Sequence, residues 1–292
     1  YNKFNAQLNP FGVLYNPASI AGNINIIIEQ RLFEPEDLIF HNGQWISLSH
    51  YTRFSHPNQQ VCLNRINQGI KESHKILEKA DFLFITFGTA WVYTFNNTGQ
   101  IAANCHKIPA SAFTRSLLKP QEIVDLFSGL LKSIKKFNNK LHVVFTLSPV
   151  KHWKDGAVGN QLSKSVLHYS IQDIINKNPD TSYFPAYEIF MDELRDYRFY
   201  DTDMIHPAES GINYIWKRFV ETYIEKNSLP LMNRVDALMK AFHHRPNNPD
   251  DPACKEFLRK TLSEMEEISE KYPFIDFKTE KEILAKRLDN LK

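Results

Sequence analysis

Short apolar runs ending in Gly, Ser or Pro alternate along the chain with stretches of helical period, the rhythm of an α/β fold built on a parallel sheet. DFLFITFG (81–88) and LHVVFTLS (141–148) are apolar on both alternations and so predict strands buried on both faces. SYFPAYEIF (182–190) and DLIFHNG (37–43) are weaker strand candidates. Ile66, Ile70, Ile76 and Leu77 mark one amphipathic helix, and Ile123, Val124, Phe127, Leu131 and Ile134 another. Ile212, Ile215, Trp216, Phe219, Val220 and Tyr223 keep the same period, with Pro207 suited to a first helical turn, where its missing N–H costs nothing. NPFGVLYNP (9–17) has two Asn-Pro pairs and a Gly around an apolar centre, which reads as a shaped loop. From about residue 228 the pattern turns helix-rich and charged, with a polar break at PNNPDDP (246–252). The chain therefore divides into an α/β domain over 1–227 and a helical C-terminal extension over 228–292.

Composition narrows this picture without redirecting it. The 292 residues are 42% hydrophobic and 13% aromatic, enough for a large core and unlike a disordered chain. A formal charge of +2 with interspersed signs gives no field that would point to nucleic acid or an anionic membrane, and the lysines of LLKSIKKFNNK (130–140) read as the wet face of a helix. The longest apolar stretch, FLFITFGTAWVYTF (82–95), is shorter than the roughly 20 residues a bilayer span needs. Cys62, Cys105 and Cys254, odd in number and far apart, argue against a disulfide framework or a CxxC zinc site and for a reducing, cytoplasmic compartment. The chain opens at Tyr1 with no Met, so a removed leader would have left no trace.

The stretch FYDTDMIHPAESG (199–211) holds Asp203 and His206 three apart, just ahead of a helix. A His serves as general base when its second ring nitrogen is held by an acceptor, which fixes the tautomer and steadies the imidazolium. Random placement of 11 His and 15 Asp gives roughly 0.6 such pairs, so the spacing alone is weak evidence, and a helix cap is the commoner job for a polar residue there. Neither GxSxG nor GDS occurs anywhere in the chain. Two in-chain nucleophiles can be weighed. Ser148, in FTLSPVKHW, sits where a strand ends, the edge at which open parallel sheets bind ligands, though a loop hydroxyl bonding nearby backbone is the commoner case. Cys105 has His106 beside it, but adjacent side chains usually diverge. FGTAW (87–91) closes the strongest strand, where Gly88 allows close approach and Thr89 offers a hydroxyl. A metal site on Asp201, Asp203 and His206 is chemically conceivable but has no second ligand cluster, so neither metal nor cofactor is expected.

Taken in order and spacing, NPFGVLYNPASI (9–20), HYTRFSHP (50–57), FGTAWVY (87–93), NCHKIP (104–109), SPVKHWKDG (148–156) and DMIHP (203–207) resemble the GSCFA family, a branch of the SGNH hydrolase-like proteins. The likeness runs from residue 1 to roughly 225, and the tail is similar to the family's C-terminal region. It implies a flavodoxin-like three-layer sandwich with a parallel sheet. It also implies a serine, in a Gly-Ser-Cys-Phe-Ala stretch after the first strand, that attacks an ester carbonyl while His206 takes and returns the proton and Asp203 orients the ring. This chain starts inside the connection after that stretch, so the resemblance places the serine upstream of Tyr1 and implies little turnover for residues 1–292 by themselves.

Gly12 corresponds to the glycine whose N–H helps cradle the oxyanion. The motif that usually reads Gly-x-Asn is here Gly88-Thr89-Ala90, so Thr89, Asn104 or His106 would have to supply the missing donor, worth about 3 kcal/mol. Trp91, His152 and Trp153 would line an acyl or sugar face, with core packing the equal alternative, and Arg53 would hold a substrate anion or a loop carboxylate. The implied activity is an SGNH-type serine esterase on O-acyl groups, plausibly acetyl, of carbohydrate, with a small-molecule or carbohydrate ester as partner. The alternatives are an O-acyltransferase and a non-catalytic carbohydrate-binding module, the latter motivated by Ala90 and by the serine lying outside the chain.

Overall fold

The structure, a computed structural model, describes residues 3–244 and 252–289. The polar break predicted at 246–252 lies, apart from Pro252, outside the described residues. Two compact units are present, Gln7–Arg218 and a second formed by Tyr1–Ala6 with Phe219–Lys292.

The larger unit opens with a shaped turn. Asn9 (φ 43) and Gly12 (φ 94) both lie in the left-handed region, and the Gly12 N–H donates to the Asn9 carbonyl at 2.8 Å. Helix α1 (Pro17–Glu29) then starts with Pro in its first turn and the Asn16 side chain accepting from the Ser19 N–H, which satisfies one of the orphan donors of a helix start. Strands β1 (Ile39–His41) and β2 (Gln44–Ile46) form an antiparallel hairpin across Asn42-Gly43, both at positive φ, as a two-residue primed turn requires. DLIFHNG is thus a strand outside the parallel sheet.

Helix α2 (Gln59–Lys79) buries Ile66, Ile70 and Leu77, but Ile76 is 46% exposed, because Ser73 takes the core position between Ile70 and Leu77. Strand β3 (Phe82–Phe87), β4 (Trp91–Phe95), β5 (Phe113–Leu117), helix α3 (Pro120–Phe137), strand β6 (His142–Leu147), helix α4 (Gly156–Lys177) and strand β7 (Thr181–Phe184) follow. β3, β6 and β7 form a parallel sheet in that order, Phe87 pairing with Leu147 and Thr146 with Phe184. β4 and β5 form a separate antiparallel ribbon, so the apolar stretch 82–95 is two strands broken at Gly88-Thr89-Ala90.

β6 is the central strand, and Val143, Val144, Phe145 and Leu147 are buried as predicted. β3 departs from the expectation of burial on both faces. Among the described residues it lies at the edge of the sheet, and while Ile85 and Phe87 are buried, Phe82 and Phe84 on the alternate face are about half exposed. SYFPAYEIF is strand only to Phe184. Pro185 cannot donate to a ladder, and the chain turns into a short helix α5 (Ala186–Glu188) and a π-helical turn at Ile189–Glu193. α3 buries Ile123, Val124, Phe127, Leu130, Leu131 and Ile134, and the Phe127 ring meets Phe87 and Phe145 at 5.0 and 5.5 Å. Each such side chain contributes about 2 kcal/mol by burial. The architecture is a mixed α/β sandwich with a parallel sheet, followed by helices.

Helix α6 (Glu209–Tyr223) starts two residues later than Pro207 suggests, because Pro207 is held in a bridge to Tyr200. In the smaller unit α7 (Leu229–His243), α8 (Pro252–Lys271) and α9 (Lys278–Asp289) enclose a core that includes Leu238, Phe242, Leu258, Met265, Phe277 and Leu284. Lys3 pairs with Glu280 at 2.6 Å.

Candidate active site

The loop ahead of α6 is built around one carboxylate. Met204 adopts the left-handed conformation (φ 60), and its N–H donates to the Asp201 carbonyl at 2.9 Å. That turn folds the chain back so that Asp203 Oδ1 accepts from the N–H groups of Ile205 and His206, at 2.8 and 2.9 Å. Oδ2 accepts from His206 Nδ1 at 2.6 Å. The His206 side chain is 60% exposed, and among the described residues its Nε2 has no hydrogen-bond partner. The bond from the His206 ring, then the two backbone bonds, hold the Asp203 carboxyl at about 2, well below the usual carboxylate range. A ring protonated at Nδ1 and oriented by a permanently charged carboxylate presents an open lone pair at Nε2, the arrangement a general base needs.

The carboxyl ends of β3 and β6 are tied together beside this loop. Gly88 and Thr89 donate their N–H groups to the Tyr15 carbonyl at 2.8 and 3.0 Å, and a Cβ on Gly88 would stand 3.1 Å from that oxygen and 3.4 Å from His152 Nε2. Tyr15 and His152 meet edge to face at 5.7 Å. The Lys151 N–H donates to the Ile205 carbonyl at 3.4 Å and its ammonium to the Met204 carbonyl, so the loop leaving β6 touches the Asp203–His206 turn. Burial, with the Lys164 charge next, pushes the His152 ring below its ordinary pKa.

Helix α4 supplies the fastening that sequence reasoning missed. Lys164, 2% exposed, donates to the carbonyls of Gly88 and Ser148 at 2.7 and 2.6 Å, bridging the ends of adjacent strands. Its burial without a carboxylate partner lowers its pKa to about 8. Ser163 Oγ accepts from the Ala90 N–H at 2.7 Å and meets Thr89 Oγ1 at 3.1 Å, and Asn160 accepts from the His152 N–H. Asn160, Ser163 and Lys164 share one helix face with Leu167, Ile171 and Ile174. Polar residues in register with a buried apolar stripe were the available signal.

The other predicted residues divide. Ser148 Oγ accepts from the Val150 N–H at 3.2 Å, a local turn contact. Thr89 is buried and accepts from the Trp91 N–H, and the Trp91 ring carries the Arg115 guanidinium 4.1 Å from its centre. Arg53 donates to the carbonyls of Asn9 and Pro10 at 3.0 and 2.8 Å, fixing the 9–12 loop. A side chain at Gly12 would overlap Tyr51, whose N–H donates to the Phe11 carbonyl. Asn104 and His106 contact residues 47–52. Asn104 reaches Thr52, and His106 Nε2 donates to the carbonyls of Ser47 and His50 at 2.8 and 3.0 Å. Burial raises the Cys105 thiol's pKa, the reverse of activation. Among the described residues no three His, Cys, Asp or Glu side chains are arranged to hold a metal ion.

The GSCFA family matches residues 1–219, and the C-terminal domain of GSCFA domain proteins matches residues 235–290. The chain belongs to the GSCFA family. In GSCFA terms, the Asp203–His206 turn, the Gly88–Ala90 turn and the loop after β6 all fall inside the main family match, and α8 and α9 inside the C-terminal one. Comparison with curated proteins returns no match. Among the described residues no helix is long and apolar enough to cross a membrane.

Proposed function

We propose that this GSCFA protein is an SGNH-type serine esterase acting on O-acyl groups of carbohydrate, with His206 as general base and Asp203 as its orienting carboxylate. The observation that carries the reading is the 2.6 Å bond from His206 Nδ1 to Asp203 on an exposed ring whose Nε2 bonds none of the described residues. On this reading the attacking hydroxyl is that of the Gly-Ser-Cys-Phe-Ala stretch that the family resemblance implies. His206 takes its proton as the serine oxygen bonds to the ester carbonyl carbon, then returns it to the leaving sugar oxygen as that bond breaks. Water repeats the cycle on the acyl-enzyme, whereas a sugar hydroxyl in its place would give an acyltransferase.

A second reading, a non-catalytic carbohydrate-binding module, is favoured by one observation. The N–H groups of Gly12, Gly88, Thr89 and Ala90 all have intramolecular acceptors, so an oxyanion would have to displace these bonds or find donors in the serine-bearing segment. Fluorophosphonate labelling of a chain extended through that segment tests the pair. Labelling that depends on both the serine and His206 supports the esterase, and labelling indifferent to His206→Ala overturns it.

A further inference from the structure

An exposed strip of rings and cations runs from the dyad loop along the turn after β6 to the β4–β5 ribbon. At one end the Lys151 ammonium stands 4.1 Å from the Tyr200 ring centre, 5.7 Å from Tyr197 and 5.8 Å from Trp153. Trp153 and Tyr197 are 54% and 65% exposed. At the other end Lys154 donates to the Tyr93 hydroxyl at 2.9 Å, and Arg115 lies over Trp91 and Tyr93.

Asp155 pairs with Arg115, Asp203 bonds the imidazole of His206 and Asp201 turns to Thr202, so none of the three carboxylates pairs with a lysine. Among the described residues Lys151 and Lys154 make no ion pair and bond only the Met204 carbonyl and the Tyr93 hydroxyl, so two ammonium groups stand beside flat aromatic faces with no salt-bridge partner. Aromatic faces stack on the C–H faces of sugars, and an adjacent ammonium selects a ring that bears a carboxylate. Because the two clusters lie on either side of the turn, a ligand that fills both is extended. Two unmatched cations on a chain of formal charge +2 are too few for the field by which nucleic acids are held.

We propose that this strip is a substrate track for a polysaccharide of carboxylate-bearing sugars, with Lys151, Trp153 and Tyr197 holding the unit next to the ester and Lys154 and Tyr93 a unit farther along. The assignment of an ester to this end rests on the proposed role of His206, whereas the binding itself does not. Titration calorimetry of the full chain with soluble polygalacturonate and alginate tests it, alongside fully methyl-esterified polygalacturonate, in which the same backbone is neutral. One of the two acidic polymers should bind at least about tenfold tighter than the neutral one, and Trp153→Ala and the Lys151→Ala, Lys154→Ala pair should each weaken it by about tenfold with unchanged thermal unfolding. Lys135→Ala, on α3, should leave it unchanged.

Absence of binding to both acidic polymers, equal binding of the methyl ester, or tighter binding of single-stranded DNA would overturn the track. His206→Ala should bind normally. Binding without acyl chemistry would therefore sink the esterase reading alone, and labelling without binding would sink the track alone.

Discussion

His206 and His50 are the same side chain in opposite settings. His206 lies half in solvent, with a carboxylate on Nδ1 and, among the described residues, no hydrogen-bond partner on Nε2. His50 is fully buried, its ring 4.5 Å from that of Phe11, 5.1 Å from Phe33 and 5.0 Å from Phe54, with only the Ser47 hydroxyl on Nδ1. Burial, with the neighbouring His106 next, drives the His50 pKa down to about 3, so it stays a neutral packing group. The contrast separates two requirements of a catalytic imidazole, a stabilised cation and an open nitrogen. His206 meets both, and His50 meets neither.

The largest effect should come from attacking the first of these. In a chain extended at its N-terminus by a Gly-Ser-Cys-Phe-Ala segment, His206→Ala should cut kcat/KM on an acetyl ester by about ten-thousandfold, whereas His50→Phe should change it by less than about tenfold. Residues 1–292 alone should show little turnover, and activity comparable to that of the extended chain would return suspicion to Ser148.

Stability should rank the two the other way. His50→Ala removes a ring from among three phenylalanines and should cost about 3 kcal/mol in urea unfolding, whereas His206→Ala should stay within about 0.5 kcal/mol. Acid sharpens the difference. Because the folded pKa of His50 lies near 3 and its ordinary value is 6.5, the unfolded chain binds the extra proton between them. Stability is therefore full above about pH 6.5 and falls toward pH 3, by about 1.4 kcal/mol per pH unit at most, and His50→Phe should flatten that slope.

Lys164 should give the smallest signal, with the same sign of pH dependence moved to the alkaline side. Its folded pKa of about 8 lies below the ordinary 10.5, so wild type should gain about 2 kcal/mol relative to Lys164→Met between about pH 8 and 10. No gain in that difference would mean that the ammonium is not sealed as described.

Much of this was legible in the sequence where one periodicity decided the outcome. β6 and α3 were readable because nearly every apolar position in them is buried, Leu126 and Phe137 being partly so. β3 misled because its apolar alternation says nothing about whether it is a central or an edge strand, and Ile76 misled because a serine, Ser73, occupies the slot that period assigns to an apolar residue. The Asp203–His206 geometry followed from local spacing, three residues in a tight turn. The roles of Arg53 and Lys164 did not, since each bonds to carbonyls 43 and 76 residues away, and carbonyl partners leave no mark on residue type.

Lys164 also turns the folded molecule into its own reporter. An amine held between two carbonyls and shut off from solvent cannot meet an acylating reagent until the junction it fastens comes apart. Mass-spectrometric tracking of modification at that single lysine, against the exposed Lys135, would clock the opening of the strand ends that carry the site.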